Sequence, residues 1–380
     1  MTERSRQLRM ARLSVVGLFA INGLAFSNWF VRIPAVEENL GLSTSALGLA
    51  LLGTAVGPLV TMPIAGMVTP RFGSRRIALF ATLGLALATA LPGNATNGIG
   101  LFFAMVLMGG SSGAMDVAMN AQGVEVERRA GRSLMSSFHG GFSVATIVGA
   151  GTGALAARWD IDPGLHLAVV AALLVVATLV VQRGLLDIAH ERESTGERMR
   201  LRLPRVLWPA AVIGFCGLLA EGSVSDWSGI FLRRELDAGA GFAALGFAVF
   251  AVTMSIGRLT GDAVIDRVGA RHVIAGSGLL AAAGMATVVV STAPWLALIG
   301  FLVAGLGLAL TAPIAFSAGA RVAGVPAGQG IAAVTTVSYL GFLAGPPFIG
   351  LLADATSLRA SLAGVALLCL VSAAMSRRLP

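Results

Sequence analysis

Twice in this chain a short arginine loop interrupts long apolar sequence, as Arg71-Phe72-Gly73-Ser74-Arg75 and, 196 positions on, as Arg267-Val268-Gly269-Ala270-Arg271. Each loop lies between two apolar segments of membrane-spanning length, so one half of the chain repeats the plan of the other. Further matches follow at similar offsets. Ser27-Asn28-Trp29 answers Ser225-Asp226-Trp227, and His139-Gly140-Gly141-Phe142 answers Tyr339-Leu340-Gly341-Phe342.

With 56% apolar and 12% charged residues, the chain has too little polar surface for an ordinary soluble domain. The hydrocarbon core takes about 20 residues per helix. Twelve segments qualify: 12–36, 44–68, 77–95, 98–122, 134–157, 165–186, 206–232, 240–265, 272–292, 294–319, 329–354 and 358–376. The expected fold is an all-α membrane protein of twelve transmembrane helices in two pseudo-symmetric six-helix bundles, 1–186 and 206–380, joined by the polar linker 187–205.

A net charge of +8 would suit a nucleic-acid partner, but all 27 basic residues are arginines and they follow the loops. Arg71, Arg75, Arg128, Arg129, Arg192, Arg198, Arg200, Arg202, Arg267, Arg271 and Arg321 fall on the side of the N-terminus, whereas Arg158, Arg233, Arg234 and Arg359 fall opposite. Positive-inside topology then places both termini in the cytoplasm and the chain in the cytoplasmic membrane. The first apolar segment has no small-residue cleavage site after it and reads as a retained helix. Cys216 and Cys369 stand apart without a motif, which argues against a disulfide framework or a cysteine zinc site.

Small residues recur four apart at Gly53/Gly57, Gly109/Gly113, Gly149/Gly153, Gly257/Gly261 and Gly341/Gly345, as close helix packing in lipid requires. Gly57-Pro58 and Gly345-Pro346-Pro347 are expected kinks.

Twelve spans in two halves, with a basic loop after the second span of each, resemble the major facilitator superfamily over nearly the whole chain. The family's loop pattern, Gly-x-x-x-Asp-Arg-x-Gly-Arg-Arg in outline, is met from Gly66 to Arg76 except that Pro70 replaces the acid. The second copy keeps Asp266-Arg267-Val268-Gly269-Ala270-Arg271 but has Asp262 in place of the leading glycine. The resemblance implies that Arg71, Gly73, Arg75, Asp266, Arg267, Gly269 and Arg271 help to hold one conformation through charge contacts. Met115-Asp116-Val117-Ala118-Met119-Asn120 is similar to the fourth span of fucose-permease-like sugar:proton symporters. The arginine and Gly-Pro pair usual in the fourth and fifth spans of drug:proton antiporters are not found there.

Ionisable groups inside a span are costly unless paired, protonated or hydrated, so each is a functional candidate. Helix rise places them in three layers. Near the midplane lie Asn22, Glu221 and Tyr339, expected to bind solute, with Glu221 also a proton carrier or a satisfied interhelical strut. Toward the cytoplasm lie Asp116 and Asn120, four apart on one helix face, and His139, a proton relay or static anchors. Toward the outside lie Asn28, Arg32 and Asp226, where an Arg32–Asp226 pair between the halves would close that side. Trp29 and Trp227, beside them, either stack on a sugar ring or anchor the membrane interface. Arg258 and Asp262, four apart, are expected to pair along their own helix and support the Asp266 loop.

These features point to a secondary active transporter moving a small polar, sugar-like solute with protons by alternating access. Proton-coupled efflux of amphipathic compounds and a non-transporting solute sensor are the alternatives. An enzyme would need a nucleophile–base pair or metal cluster, and His139 with Ser136, Ser137 or Ser143 is the one local candidate. The expected partners are a small molecule, protons and the lipid bilayer, with no nucleic acid, no cofactor and no metal, and the protein is expected to act as a monomer.

Overall fold

The computed structural model describes residues 3–132, 134–187, 204–320, 322 and 327–379. Among them are twelve helices long and apolar enough to cross a membrane. They are α1 (Arg6–Leu40), α2 (Thr44–Phe72), α3 (Ser74–Asn94), α4 (Gly98–Ala130), α5 (Ser137–Arg158), α6 (Pro163–Gly184), α7 (Arg205–Arg234), α8 (Ala240–Val268), α9 (Ala270–Val290), α10 (Pro294–Ala320), α11 (Gln329–Ala355) and α12 (Leu358–Arg378). No strand occurs among the described residues. Lipid offers no partner to a backbone N–H or C=O, and a helix satisfies both within itself. Most of the linker, with Arg192, Arg198, Arg200 and Arg202, and the loop residue Arg321 lie outside the described residues.

Two helices depart from their expected lengths in ways that bear on function. α4 runs to Ala130, well past residue 122, because Glu125 accepts from both Arg128 (2.8 Å) and Arg129 (2.6 Å) and neutralises the extension. α8 ends at Val268, just before the second arginine loop. Pro58 and the Pro346-Pro347 pair sit inside continuous helix, while α2 is interrupted at Leu52 and α10 at Ala309 and Leu310.

The chain divides into two compact units, Met1–Leu42 with Ala50–Ser194, and Ser43–Leu49 with Thr195–Pro380. Within the first, α1 packs on α4, α5 and α6, α2 on α4, and α3 on α4 and α6. Within the second, α7 packs on α10, α11 and α12, α8 on α10, and α9 on α10 and α12. Adding six to each helix carries these contacts of the first unit onto the second, which adds α7 on α8 and α11 on α12. The duplication seen in the loops therefore extends to the packing.

Glycine spacing explains how these pairs close. A Cβ on Gly113 of α4 would stand 2.9 Å from the Pro58 Cα of α2, and one on Gly53 of α2 would stand 3.0 Å from the Met105 Cβ of α4. Two small-residue stripes thus meet face to face. On α1 a Cβ at Gly23 would stand 2.6 Å from the Phe142 carbonyl of α5, and on α11 one at Gly341 would stand 3.0 Å from the Leu219 nitrogen of α7. Helices in lipid gain no hydrophobic attraction for one another, so close backbone approach supplies the dispersion energy.

The segment Ser43–Leu49 clusters with the second unit rather than the first. Asp354 accepts from the Ser45 N–H at 3.0 Å, capping a helix start that carries no acid of its own. Arg234 donates to the Thr44 hydroxyl at 2.9 Å.

Both arginine loops turn on glycines with the same backbone, φ 84° and ψ 138° at Gly73 and φ 85° and ψ 142° at Gly269. Each N–H closes the preceding helix, on Thr69 O at 2.9 Å and Ile265 O at 2.8 Å. A side chain in this region costs about 1–3 kcal/mol. Gly73→Ala and Gly269→Ala are each expected to lower the thermal midpoint of the purified protein, whereas Gly276→Ala, with nothing within 4 Å of its added Cβ and an ordinary helical backbone, is expected to leave it unchanged.

Candidate functional site

Helix α4 carries a polar stripe at Ser112, Asp116 and Asn120, spaced four apart so that all three share a face. Because α4 runs from Gly98 to Ala130, Asp116 falls about 3 Å from its midpoint, closer to the centre than the shorter predicted span allowed. Asn120 Nδ2 donates to the Asp116 carbonyl (2.8 Å) and to its carboxylate (3.1 Å). Ser112 donates to Asn22 Oδ1 of α1 at 3.2 Å. Asn22 is buried, while the three α4 residues are half-buried, so the stripe is not sealed. No basic side chain pairs with Asp116 among the described residues. Ser112 was missed in the sequence, although its place one helical turn before Asp116 would have revealed it.

His139 is exposed on α5 and meets the Phe19 ring edge-on at 4.8 Å. Ser137 beside it donates to the Leu134 carbonyl at 2.7 Å, a backbone bond rather than a nucleophile–base contact. The Ser136 side chain lies outside those described.

Asn28 is fully used within the first unit, donating to Leu24 O (2.9 Å) and accepting from Thr152 of α5 (3.2 Å). Arg32, 3% exposed, donates to the Ile161 carbonyl in the turn between α5 and α6, with Asp160 and Asp162 near enough to act on its charge. Arg32 thus has a carbonyl partner inside its own bundle. Asp226, half-buried on α7, makes no hydrogen bond or ion pair among the described residues. Trp29 and Trp227 are both fully buried, so neither offers a face to a solute or to lipid headgroups. Their indole N–H groups have no hydrogen-bond partner among the described residues.

In the second unit, Arg258 Nη2 of α8 donates to both carboxylate oxygens of Glu221 on α7, at 3.0 and 3.1 Å. This overturns the expected Arg258–Asp262 pair: Asp262 is exposed and makes no ion pair among the described residues. A carboxylate at membrane depth gains far more from a counter-charge than one at the helix end, where water already solvates it. Glu221 lies about 2 Å and Arg258 about 6 Å from the midpoints of their helices. Tyr339 is 43% exposed on α11, its ring 6.2 Å from that of Phe342.

The loop residues act at the ends of the bundles. Arg75 pairs with Asp187 at 3.2 Å across an exposed surface, a contact of at most about 1 kcal/mol. Arg71 lies 5.6 Å from the Phe72 ring centre. Arg271 donates to Leu379 O through Nε (3.0 Å) and Nη2 (2.5 Å), while Asp266 and Arg267 are exposed. Between these ends Gln122, which the sequence did not single out, is buried and bonds Ser74 Oγ (2.9 Å), Leu186 O (2.8 Å) and Leu186 N (2.9 Å), joining α4 to the ends of α3 and α6.

A family model described as Major Facilitator Superfamily matches residues 15–325 and 227–380. An uncharacterised MFS-type transporter of Yersinia pestis is 35% identical over 366 residues, covering 94% of this chain and 93% of the relative. Membrane protein MosC of Rhizobium meliloti is 34% identical over 344 residues, covering 90% and 83% respectively. Among solved structures, a mutant of nucleoside transporter NupG aligns with a TM-score of 0.83 at 12% identity, covering 97% of this chain and all of that one. FucP in its outward conformation aligns with a TM-score of 0.65 at 17% identity, covering 98% and 99%. At these identities the structural matches speak to fold alone.

Removing one member of the Glu221–Arg258 pair strands its partner's charge at membrane depth. Arg258→Met is expected to cost about 3 kcal/mol and to lower the thermal midpoint in detergent, and adding Glu221→Gln is expected to recover most of the loss.

Proposed function

Because the chain belongs to the major facilitator superfamily and is a multi-pass membrane transporter, we propose that it moves a small polar, sugar-like solute together with protons by exposing one site to either side of the membrane in turn. The observation that carries this reading is Asp116, a half-buried carboxylate close to the middle of α4 without a cationic partner among the described residues. Such a group is stable in a span only when hydrated or protonated, and alternation between those environments makes it a proton carrier. Asn120 holds the carboxylate from one side, and the Ser112–Asn22 pair one turn away supplies a donor and acceptors suited to solute hydroxyls.

The protein works as a monomer in the cytoplasmic membrane with both termini in the cytoplasm, an orientation supported by the clustering of arginines in alternate loops. Solute gradients or the proton gradient drive it.

Asp116→Asn keeps the hydrogen-bonding shape but cannot gain or lose a proton. It is expected to reach the membrane at wild-type levels and to lose solute accumulation driven by an inward proton gradient in proteoliposomes, while a protonophore collapses accumulation by the wild type. Accumulation by the variant with unchanged pH dependence would remove Asp116 from the coupling role. Solute binding without flux in the wild type would instead identify a sensor.

A further inference from the structure

Two arginine–carboxylate pairs among the described residues of the second unit, Arg359–Glu235 and Arg258–Glu221, are built differently. All three nitrogens of Arg359 are engaged: Nε bonds Glu235 (2.9 Å), Nη1 bonds Val289 O (2.7 Å) and Ser291 O (2.8 Å), Nη2 bonds Glu235 O (3.3 Å), and the guanidinium lies 5.2 Å from the Phe231 ring centre. Arg258 uses a single nitrogen, Nη2, for both Glu221 oxygens. Its Nε and Nη1 donate to nothing among the described residues, and neither is among the enclosed polar atoms that lack partners. The side chain is 34% exposed against 18% for Glu221, so the pair is open on the arginine side. An arginine inside a span with open donors is not stable against lipid tails, so its free edge faces water or polar groups. Beside it, the interruption of α10 at Ala309 and Leu310 presses on Gly257 and Gly261, which flank Arg258: a Cβ on Gly257 would stand 2.5 Å from that of Ala309. In several transporter folds, broken helices near the bilayer midplane frame the substrate site.

We propose that Arg258 receives an anionic group of the transported solute, a carboxylate or a phosphate, and that this group displaces Glu221, which takes up one proton in exchange. The inference rests on the transport reading above and narrows its solute to a polyhydroxylated acid. A planar anion matches the guanidinium edge with two parallel hydrogen bonds, better than the one-nitrogen contact Glu221 makes. Glu221, deprived of its counter-charge away from bulk water, is then neutralised by protonation. Charge balances at each stage. The pair begins neutral, and a carboxylate monoanion and a proton enter together, with ion-pair contacts exchanged and one O–H bond formed on Glu221; a doubly charged phosphate entering with the same proton leaves one negative charge at the site. A carboxylate and its proton thus move with no net charge at this site, a property a neutral sugar would not need.

The test uses the purified full-length protein in weakly buffered detergent solution and two matched pairs of probes: D-gluconate against sorbitol, and glucose 6-phosphate against glucose. At least one anion is expected to raise the thermal midpoint progressively with concentration, as binding to the folded state requires, and to withdraw one proton per bound anion, read with a pH indicator. The neutral partner is expected to do neither. Preference for gluconate or for the phosphate identifies which anion the site takes. Glu221→Gln is expected to keep the thermal shift and lose the proton uptake, a split that a merely structural role for the pair does not produce. Arg258→Gln is expected to lose both, and Glu221→Gln/Arg258→Gln, which stays charge-balanced, repeats that result should the single variant fold poorly. The proposal is overturned by a neutral probe that stabilises as well as its acid, by proton uptake that persists in Glu221→Gln, or by the absence of any response to both anions. Proton-driven flux of neutral solutes alongside silence toward both anions would leave the transport reading standing and remove this one.

Discussion

In a bilayer every polar group must find its partner inside the protein or in trapped water, and this constraint shapes the structure from backbone to site. It confines the spanning segments to helices, and it makes each intramembrane side chain with hydrogen-bonding capacity an accountable object. Asn28 settles its amide on Leu24 and Thr152, and Gln122 settles its own on Ser74 and Leu186. Against that background, Asp116 without a cation and Arg258 with an unused donor edge stand out as unsettled groups. Function in a membrane transporter is sought where the polar bookkeeping stays open.

The internal repeat sharpens the contrast, because each half is a control for the other. Trp29 and Trp227 are buried alike, and Gly73 and Gly269 adopt the same backbone, so those positions serve the architecture. At the position where the first half has Asn28, bonded on both sides, the second has Asp226, for which no bond is seen among the described residues. Likewise the polar stripe of α4 and the ion pair between α7 and α8 have no copy among the described residues of the opposite unit. Symmetric residues build the bundles, and the asymmetric ones are the candidates for the chemistry.

Much of this was legible in the residues. The twelve helices and the arginine loops follow from apolar length and charge distribution, and the glycine spacings anticipated the stripes that meet between α2 and α4. Ser112 was legible as well, one turn before Asp116, but was overlooked. The partner of Arg258 was misjudged because Asp262 sits at an inviting spacing on the same helix, and sequence spacing is blind to a carboxylate approaching from a neighbouring helix. The tryptophans were misjudged for a related reason. Their height along α1 and α7 could be counted, but which way each indole turns depends on the helices that surround it.

The sequence by itself determined that the chain crosses a membrane twelve times in two like halves, since hydrophobic length, arginine placement and repeated motifs are properties of the chain read in order. Tertiary structure alone decided which charged groups neutralise one another and which are left open, since pairing energies act over a few ångströms and the partners, Glu221 and Arg258, Arg32 and Ile161, belong to segments brought together only by helix packing.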